Sequence, residues 1–112
     1  MQISTEVIDG VTVVALQGET LDASNAKALK ADLAGVLAPG AKLVFDLAAV
    51  KFIDSSGLGV LLSCLRQVHS SAGDLKLCAM AKPVRALFEL VRMHRIFEIY
   101  ASRAEAVESY AK

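Results

Sequence analysis

Asp54, Ser55 and Ser56 stand in a row, followed by Gly57, Leu58 and Gly59, inside the stretch FIDSSGLGVLLSCL. Two hydroxyls beside a carboxylate, with glycines clearing the space, suit four kinds of chemistry: helix capping, an anion cradle, nucleophilic catalysis, or acceptance of a phosphate. An Asp ahead of an apolar run is a favoured N-cap, because its carboxylate accepts a hydrogen bond from an amide two or three residues on. That assigns the cap to Asp54 and puts Ser55 and Ser56 in the first helical turn, where the helix dipole favours negative charge. Ser55 is then free to face solvent near the C-terminal end of the preceding strand, where open α/β sheets commonly present ligands. Capping alone would account for Asp-Ser-Ser. The glycines go further, since each is less favourable than Ala inside a helix by ~0.8–1 kcal/mol, and their missing side chains allow a partner's backbone to come close.

Nucleophilic catalysis finds little support in the rest of the chain. There is no G-x-S-x-G elbow, and a Ser55 nucleophile would need a base within hydrogen-bonding reach, with only His69 and His94 on offer. His69 lies on the same expected helix, about 20 Å from Ser55 at 1.5 Å per residue. His94 follows a later helix in a basic loop. SSGLG also lacks the spaced glycines and the lysine of a phosphate-binding P-loop, and no lysine follows until Lys76. An anion at this helix start would be opposed by Asp54. Neither an enzyme nor a cofactor is expected.

The elements that position the motif can be read from periodicity. Gln2 to Ile8 and Val11 to Gln17 are β-branched runs around Asp9-Gly10, a dipeptide suited to a tight hairpin turn. Asn25 to Leu37 repeats Ala26, Leu29, Leu33, Val36 and Leu37 at helical spacing, with Ser24 the expected cap and Pro39-Gly40 the stop. KLVFDL, Lys42 to Leu47, is short and apolar enough for a central strand. Leu58, Leu61, Leu62, Leu65 and Val68 make the apolar stripe of the helix that Asp54 opens, ending near Gly73. Leu75 to Met80 is a further strand. Pro83 is expected as the first residue of a helix buried through Val84, Leu87, Phe88 and Val91. Ile96 to Tyr100 reads as a last strand, and Ser102 with Glu105 has the capping-box spacing of a final helix through Tyr110.

Composition narrows the function further. A length of 112 residues with 54% hydrophobic content suits one α/β domain spanning residues 1–112. Twelve basic and twelve acidic residues cancel, which disfavours nucleic acid as a partner. The signs are segregated, however: Glu6, Asp9, Glu19 and Asp22 precede the first Lys or Arg, whereas Lys82, Arg85, Arg92, Arg95 and Arg103 come late. Such a two-signed surface reads as ordinary solvated charge or as a guide for an oriented protein partner. No stretch approaches the ~20 apolar residues of a membrane span, and MQISTEVIDG lacks a secretory pattern, so a cytoplasmic location without membrane insertion is expected. Cys64 and Cys78, in apolar surroundings, read as reduced buried thiols, not as ligands of a metal.

FDLAAVKFIDSSGLGVLL, LCAMAKPVRALFELVRMHRIFEIY and ASRAEAV resemble the STAS domain of bacterial anti-sigma factor antagonists, over nearly the whole chain. The resemblance implies a STAS fold: a mixed sheet of about five strands with about four helices in the order ββαβαβαβα, the helices mainly on one side. It also implies partner switching. The unphosphorylated antagonist binds an anti-sigma factor that is a serine kinase of the GHKL ATPase type, so a sigma factor is released; phosphorylation of Ser55 ends the binding, and a metal-dependent serine phosphatase restores it. By the same resemblance Asp54 and Ser56 are the setting of the phosphosite, and Gly57, Leu58 and Gly59 belong to the docking surface. Glu19 and Asp22 join that surface through a loop that is usually G-E-L-D and here reads Gly18-Glu19-Thr20-Leu21-Asp22, one residue longer. The rival within the fold is an unphosphorylated STAS subunit of a transporter or signalling assembly.

Overall fold

A computed structural model describes residues 1–111. Strands β1 (Gln2–Ile8) and β2 (Val11–Gln17) form the expected antiparallel hairpin. Asp9 and Gly10 take φ of 50° and 79°, the pair of positive angles that a two-residue turn of matching twist requires. Next come β3 (Thr20–Leu21), α1 (Ala26–Leu33), β4 (Lys42–Asp46), β5 (Phe52–Ile53) and α2 (Ser55–Ser70). The chain ends with β6 (Asp74–Cys78), α3 (Lys82–Leu90), β7 (Ile99–Tyr100) and α4 (Arg103–Ser109). The main sheet has the order β1-β2-β4-β6-β7, with every pair after the hairpin parallel, so it is a five-stranded mixed sheet.

Strand alternation divides two cores. Val14, Leu16, Leu43, Phe45, Leu75 and Leu77 face α1, α2 and α3 and belong to the larger cluster. Val11, Val13, Val44 and Cys78 face the other way, against Ala106 and Val107 of α4. Three helices thus cover one face and a seven-residue helix covers the other.

So short a helix buries little, and polar contacts fasten it. Arg103 donates through Nε and Nη2 to Asp46 Oδ2 at 3.1 and 2.8 Å, and its Nη1 pairs with Glu6. This fork, led by the hydrogen bond to Asp46, holds the guanidinium pKa above its ordinary value. Lys76, 6% exposed, donates to Ser109 Oγ at 2.7 Å, pairs with Glu98 at 3.2 Å and lies 4.2 Å from the centre of the Tyr110 ring. Tyr110 in turn donates its hydroxyl hydrogen to the Leu43 carbonyl at 2.8 Å. Arg103 therefore leaves the late basic cluster to become a partly buried fastener.

Several boundaries differ from the periodicity. Ser24 does not cap α1: its amide and hydroxyl both donate to the Asp22 carboxylate, forming an Asx turn. Asn25 holds the cap position without a side-chain cap bond, because its Oδ1 accepts the Asp22 amide at 3.0 Å and its Nδ2 donates to the Thr20 carbonyl at 2.7 Å. Helix α1 stops at Leu33 and a 3-10 turn, Ala34–Val36, carries the chain on. In α2 the buried stripe turns toward Val60 and Cys64, which leaves Leu58 and Leu62 half-buried. Pro83 is the second residue of α3, not the first, and only Val84 and Phe88 of its expected buried face are buried. Ile96 lies outside β7, since a 3-10 turn at Met93–Arg95 swings Phe97 into the core against Phe88, with ring centres 6.1 Å apart. Strands β3 and β5 pair with each other in a separate parallel ladder; two residues each are too few to show a period.

Cys64 and Cys78 are free and buried, as expected. Burial pushes the Cys64 thiol up from 9.0 to about 11, and burial with the nearby Asp46 charge pushes Cys78 to about 12. Both native pKa values lie above the unfolded one, so the thiols leave stability unchanged below pH 9 and subtract from it as the pH climbs toward 11, where only the unfolded chain releases protons. Denaturant unfolding of the native chain should show an alkaline decline steeper than that of a Cys64→Ala/Cys78→Ala protein, by up to ~1.4 kcal/mol per pH unit per thiol. Parallel curves for the two proteins would contradict the assignment.

Candidate functional site

The site is built where β5 runs into α2 with β3 at its side. The Glu19 carbonyl accepts the amides of Lys51 and Phe52 at 2.7 and 3.1 Å, and the Leu21 carbonyl accepts the amide of Asp54 at 3.1 Å. The Glu19–Asp22 loop and the Asp-Ser-Ser motif, far apart in sequence, therefore share one ladder.

Asp54 caps α2 as expected. Its Oδ1 accepts the amides of Ser56 and Gly57 at 2.8 and 3.1 Å, while Oδ2 reaches the other loop and accepts the Ala23 amide at 3.3 Å. Its carboxylate is thus engaged on both oxygens, by the helix it starts and by the loop beside it. Ser55 is the exposed first residue of α2, and Ser56 is half-buried.

The two glycines part company. A Cβ on Gly57 would lie 2.7 Å from both Cγ and the carbonyl oxygen of Leu21 and 2.8 Å from Ile53 Cγ2, so this buried glycine lets α2 close on the β3–β5 ladder. A Cβ on Gly59 would meet nothing within 4 Å. Clearance for a partner, expected of both, is present only at Gly59.

Asp22 is half-buried, and the Ser24 hydroxyl and amide hold its carboxyl below the usual range. Glu19 is exposed and makes a loose 3.7 Å pair with Lys51, both side chains at least 70% exposed, a contact of little energetic weight. As expected from the sequence, neither histidine joins the site: His69, near the far end of α2, pairs with Asp74 at 3.0 Å, and His94 is on the turn after α3. Among the described residues no group of three or more His, Cys, Asp or Glu is placed to hold a metal ion.

Periodicity missed an apolar groove of about 480 Å³ between α2 and α3. Phe52, Leu58, Val84, Leu87 and Val91 line it, and Asp54 and Ser55 stand on its border. Phe52 is 55% exposed and Val91 47%. The signal in the sequence was the width of the apolar face along α3, where Leu87 and, just past the helix end, Val91 lie beyond what Val84 and Phe88 already bury.

A five-stranded mixed sheet, three helices on one face and an exposed serine at a capped helix start describe a small α/β domain with a hydroxyl on its surface. The sequence matches the STAS domain family over residues 2–106, and the chain belongs to that family, among the anti-sigma factor antagonists. Its relatives include BtrV of Bordetella bronchiseptica, provisionally named an anti-sigma factor antagonist, which is 33% identical over 98% of this chain and 95% of its own. The anti-sigma F factor antagonist of Paenibacillus polymyxa is 31% identical over 96% of this chain and 92% of its own. The structure of Bacillus SpoIIAA in the phosphorylated form superposes with a TM-score of 0.70 at 22% identity, over 97% and 99% of the two chains, a likeness of fold. Among the described residues no helix is long and apolar enough to cross a membrane.

The glycine contacts separate by substitution. Gly57→Ala should destabilise the protein by ~1–3 kcal/mol, since backbone lies against the new methyl, whereas Gly59→Ala should be neutral or stabilising by up to ~1 kcal/mol. Asp54→Ala should cost ~1 kcal/mol for the lost cap. Urea unfolding midpoints of the three proteins test this, and equal effects at the two glycines would contradict it.

Proposed function

We propose that this chain acts as an anti-sigma factor antagonist by partner switching, with Ser55 the phosphoacceptor. Its unphosphorylated form binds an anti-sigma factor that is also a serine kinase of the GHKL type and so frees a sigma factor. Phosphorylation by that kinase ends the binding, and a metal-dependent serine phosphatase restores it. The observation that carries this reading is the exposure of Ser55 as the first residue of α2, on the border of an open apolar groove. Asp54 and Ser56 set its geometry, and Leu58, Gly59, Glu19 and Asp22 are the docking residues around it. Gly57 serves the surface indirectly, through its packing on Leu21.

A phosphate on Ser55 adds about −1.5 to −2 charges. The helix dipole favours that charge, so the fold tolerates it. A partner seated on the groove must instead strip water from a dianion next to the Asp54 carboxylate, at a surface shaped for a neutral hydroxyl. Phosphorylation accordingly acts on binding and leaves folding alone. No observation favours the transporter-subunit alternative over this one.

Calorimetric titration against the cognate kinase should find Ser55→Ala bound within about threefold of wild type, since only a hydroxyl is removed, and Ser55→Asp weakened at least about tenfold, or ~1.4 kcal/mol. Mass spectrometry after incubation with the kinase and ATP should place the phosphate on Ser55. Phosphate on Ser56, or unweakened binding by Ser55→Asp, would overturn the proposal. The melting temperature of the phosphorylated protein should match that of the unmodified one to within about two degrees; a far larger drop would mean that phosphate acts on the fold.

A further inference from the structure

We infer that β1 is a self-pairing edge through which two copies of this chain join their sheets into one of ten strands. The strand order leaves β1 at the end of the main sheet, paired only with β2. Five of its seven residues are exposed, and no strand pairs with its outer edge. The opposite edge, β7, is two residues long and offers little to pair with.

Sheet edges are ordinarily blunted by lysine, proline, a bulge or an outward charge. QISTEVI has no Lys, Arg, Pro or Gly, and its pairing with β2 runs unbroken from Gln2↔Gln17 to Ile8↔Val11. Its one charge, Glu6, is held by Arg103 of α4. The edge is therefore long, regular and undefended.

Register selects a second copy as the occupant. In an antiparallel pairing centred on Thr5, Gln2 faces Ile8, Ile3 faces Val7, Ser4 faces Glu6, and Thr5 faces its own equivalent, so all seven residues are paired. Centring on Glu6 would oppose two carboxylates directly, which is unfavourable, and centring on Ser4 would leave Val7 outside the strand. The pairing with β2 places Ile3, Thr5 and Val7 on the same face as Leu16, Val14 and Thr12, the face covered by α1, α2 and α3. Val7 is 71% exposed there, while Ile3 packs against the main core. The Thr5-centred register sets each exposed Val7 beside the other copy's Ile3, extending that core across the junction. None of the seven residues belongs to the Ser55 site, so the inference stands apart from the proposed function.

One strand pair buries less than the ~800 Å² per partner of a standard interface, so association should be weak. Sedimentation velocity of the full chain from about 10 µM to about 1 mM should show a reversible monomer–dimer equilibrium. Thr5→Lys and Thr5→Glu each place like charges face to face and should be monomeric across that range; mixed in equal amounts they should form a heterodimer at least as tight as the wild-type dimer. Circular dichroism and melting curves identical to wild type establish that each variant folds. A wild-type chain monomeric at 1 mM, variants that dimerise like wild type, or a mixture that stays monomeric would overturn the inference.

Discussion

The Asp54 carboxylate is the junction on which the candidate site depends. One oxygen caps α2 through the amides of Ser56 and Gly57, and the other holds the loop after β3 through the amide of Ala23. A single side chain thereby fixes the direction of the helix and its distance from the neighbouring loop. Neutral caps such as Ser or Thr have one oxygen and could not bridge both. Gly57 completes the junction by letting Leu21 and Ile53 come within van der Waals contact of the first turn. Ser55 is left on the outside of a structure that is tight on its inner side.

That division explains how a surface hydroxyl can be placed accurately without being bonded into the core. Modifying groups that are themselves part of a cap or a buried network would change stability along with binding. At Ser55 the cap belongs to the preceding residue and the packing to Gly57, so the hydroxyl can change charge while both stay intact. Under the proposed switch the apolar groove next to it matters because the electrostatic cost of a new charge rises where a docked partner excludes water. Hydroxyl and groove are neighbours on one face of the molecule.

Much of this was legible in the residues. The Asp54 cap, the Asp9-Gly10 hairpin, the central strands and the Ser102 cap each rest on a local rule that one segment can satisfy by itself, and all are found. The β3–β5 ladder, the Ala23 contact and the opposed roles of Gly57 and Gly59 depend on which distant segments meet. Nothing in the spacing of either glycine distinguishes one that packs against Leu21 from one that faces open space. The groove was obscured for a related reason: periodicity assigned Leu87 and Val91 to the core with Val84 and Phe88, and a helix at the margin of a sheet can bury only part of so wide a face. Ser24 illustrates local competition, since a nearby Asp22 captured its hydroxyl before the helix could use it.

The fastening of α4 has a practical side. The chain has no tryptophan and two tyrosines, and both rings lie near the Lys76 ammonium on the α4 side of the sheet, Tyr110 at 4.2 Å and Tyr100 at 5.7 Å. The groove beside Ser55 has phenylalanine as its only aromatic residue. Intrinsic ultraviolet emission is therefore a reporter of the back of the molecule: it follows the seating of the last helix and is dark toward events at the front. Anyone watching a partner arrive at Ser55 by fluorescence has to bring the chromophore with the partner or install one at the groove.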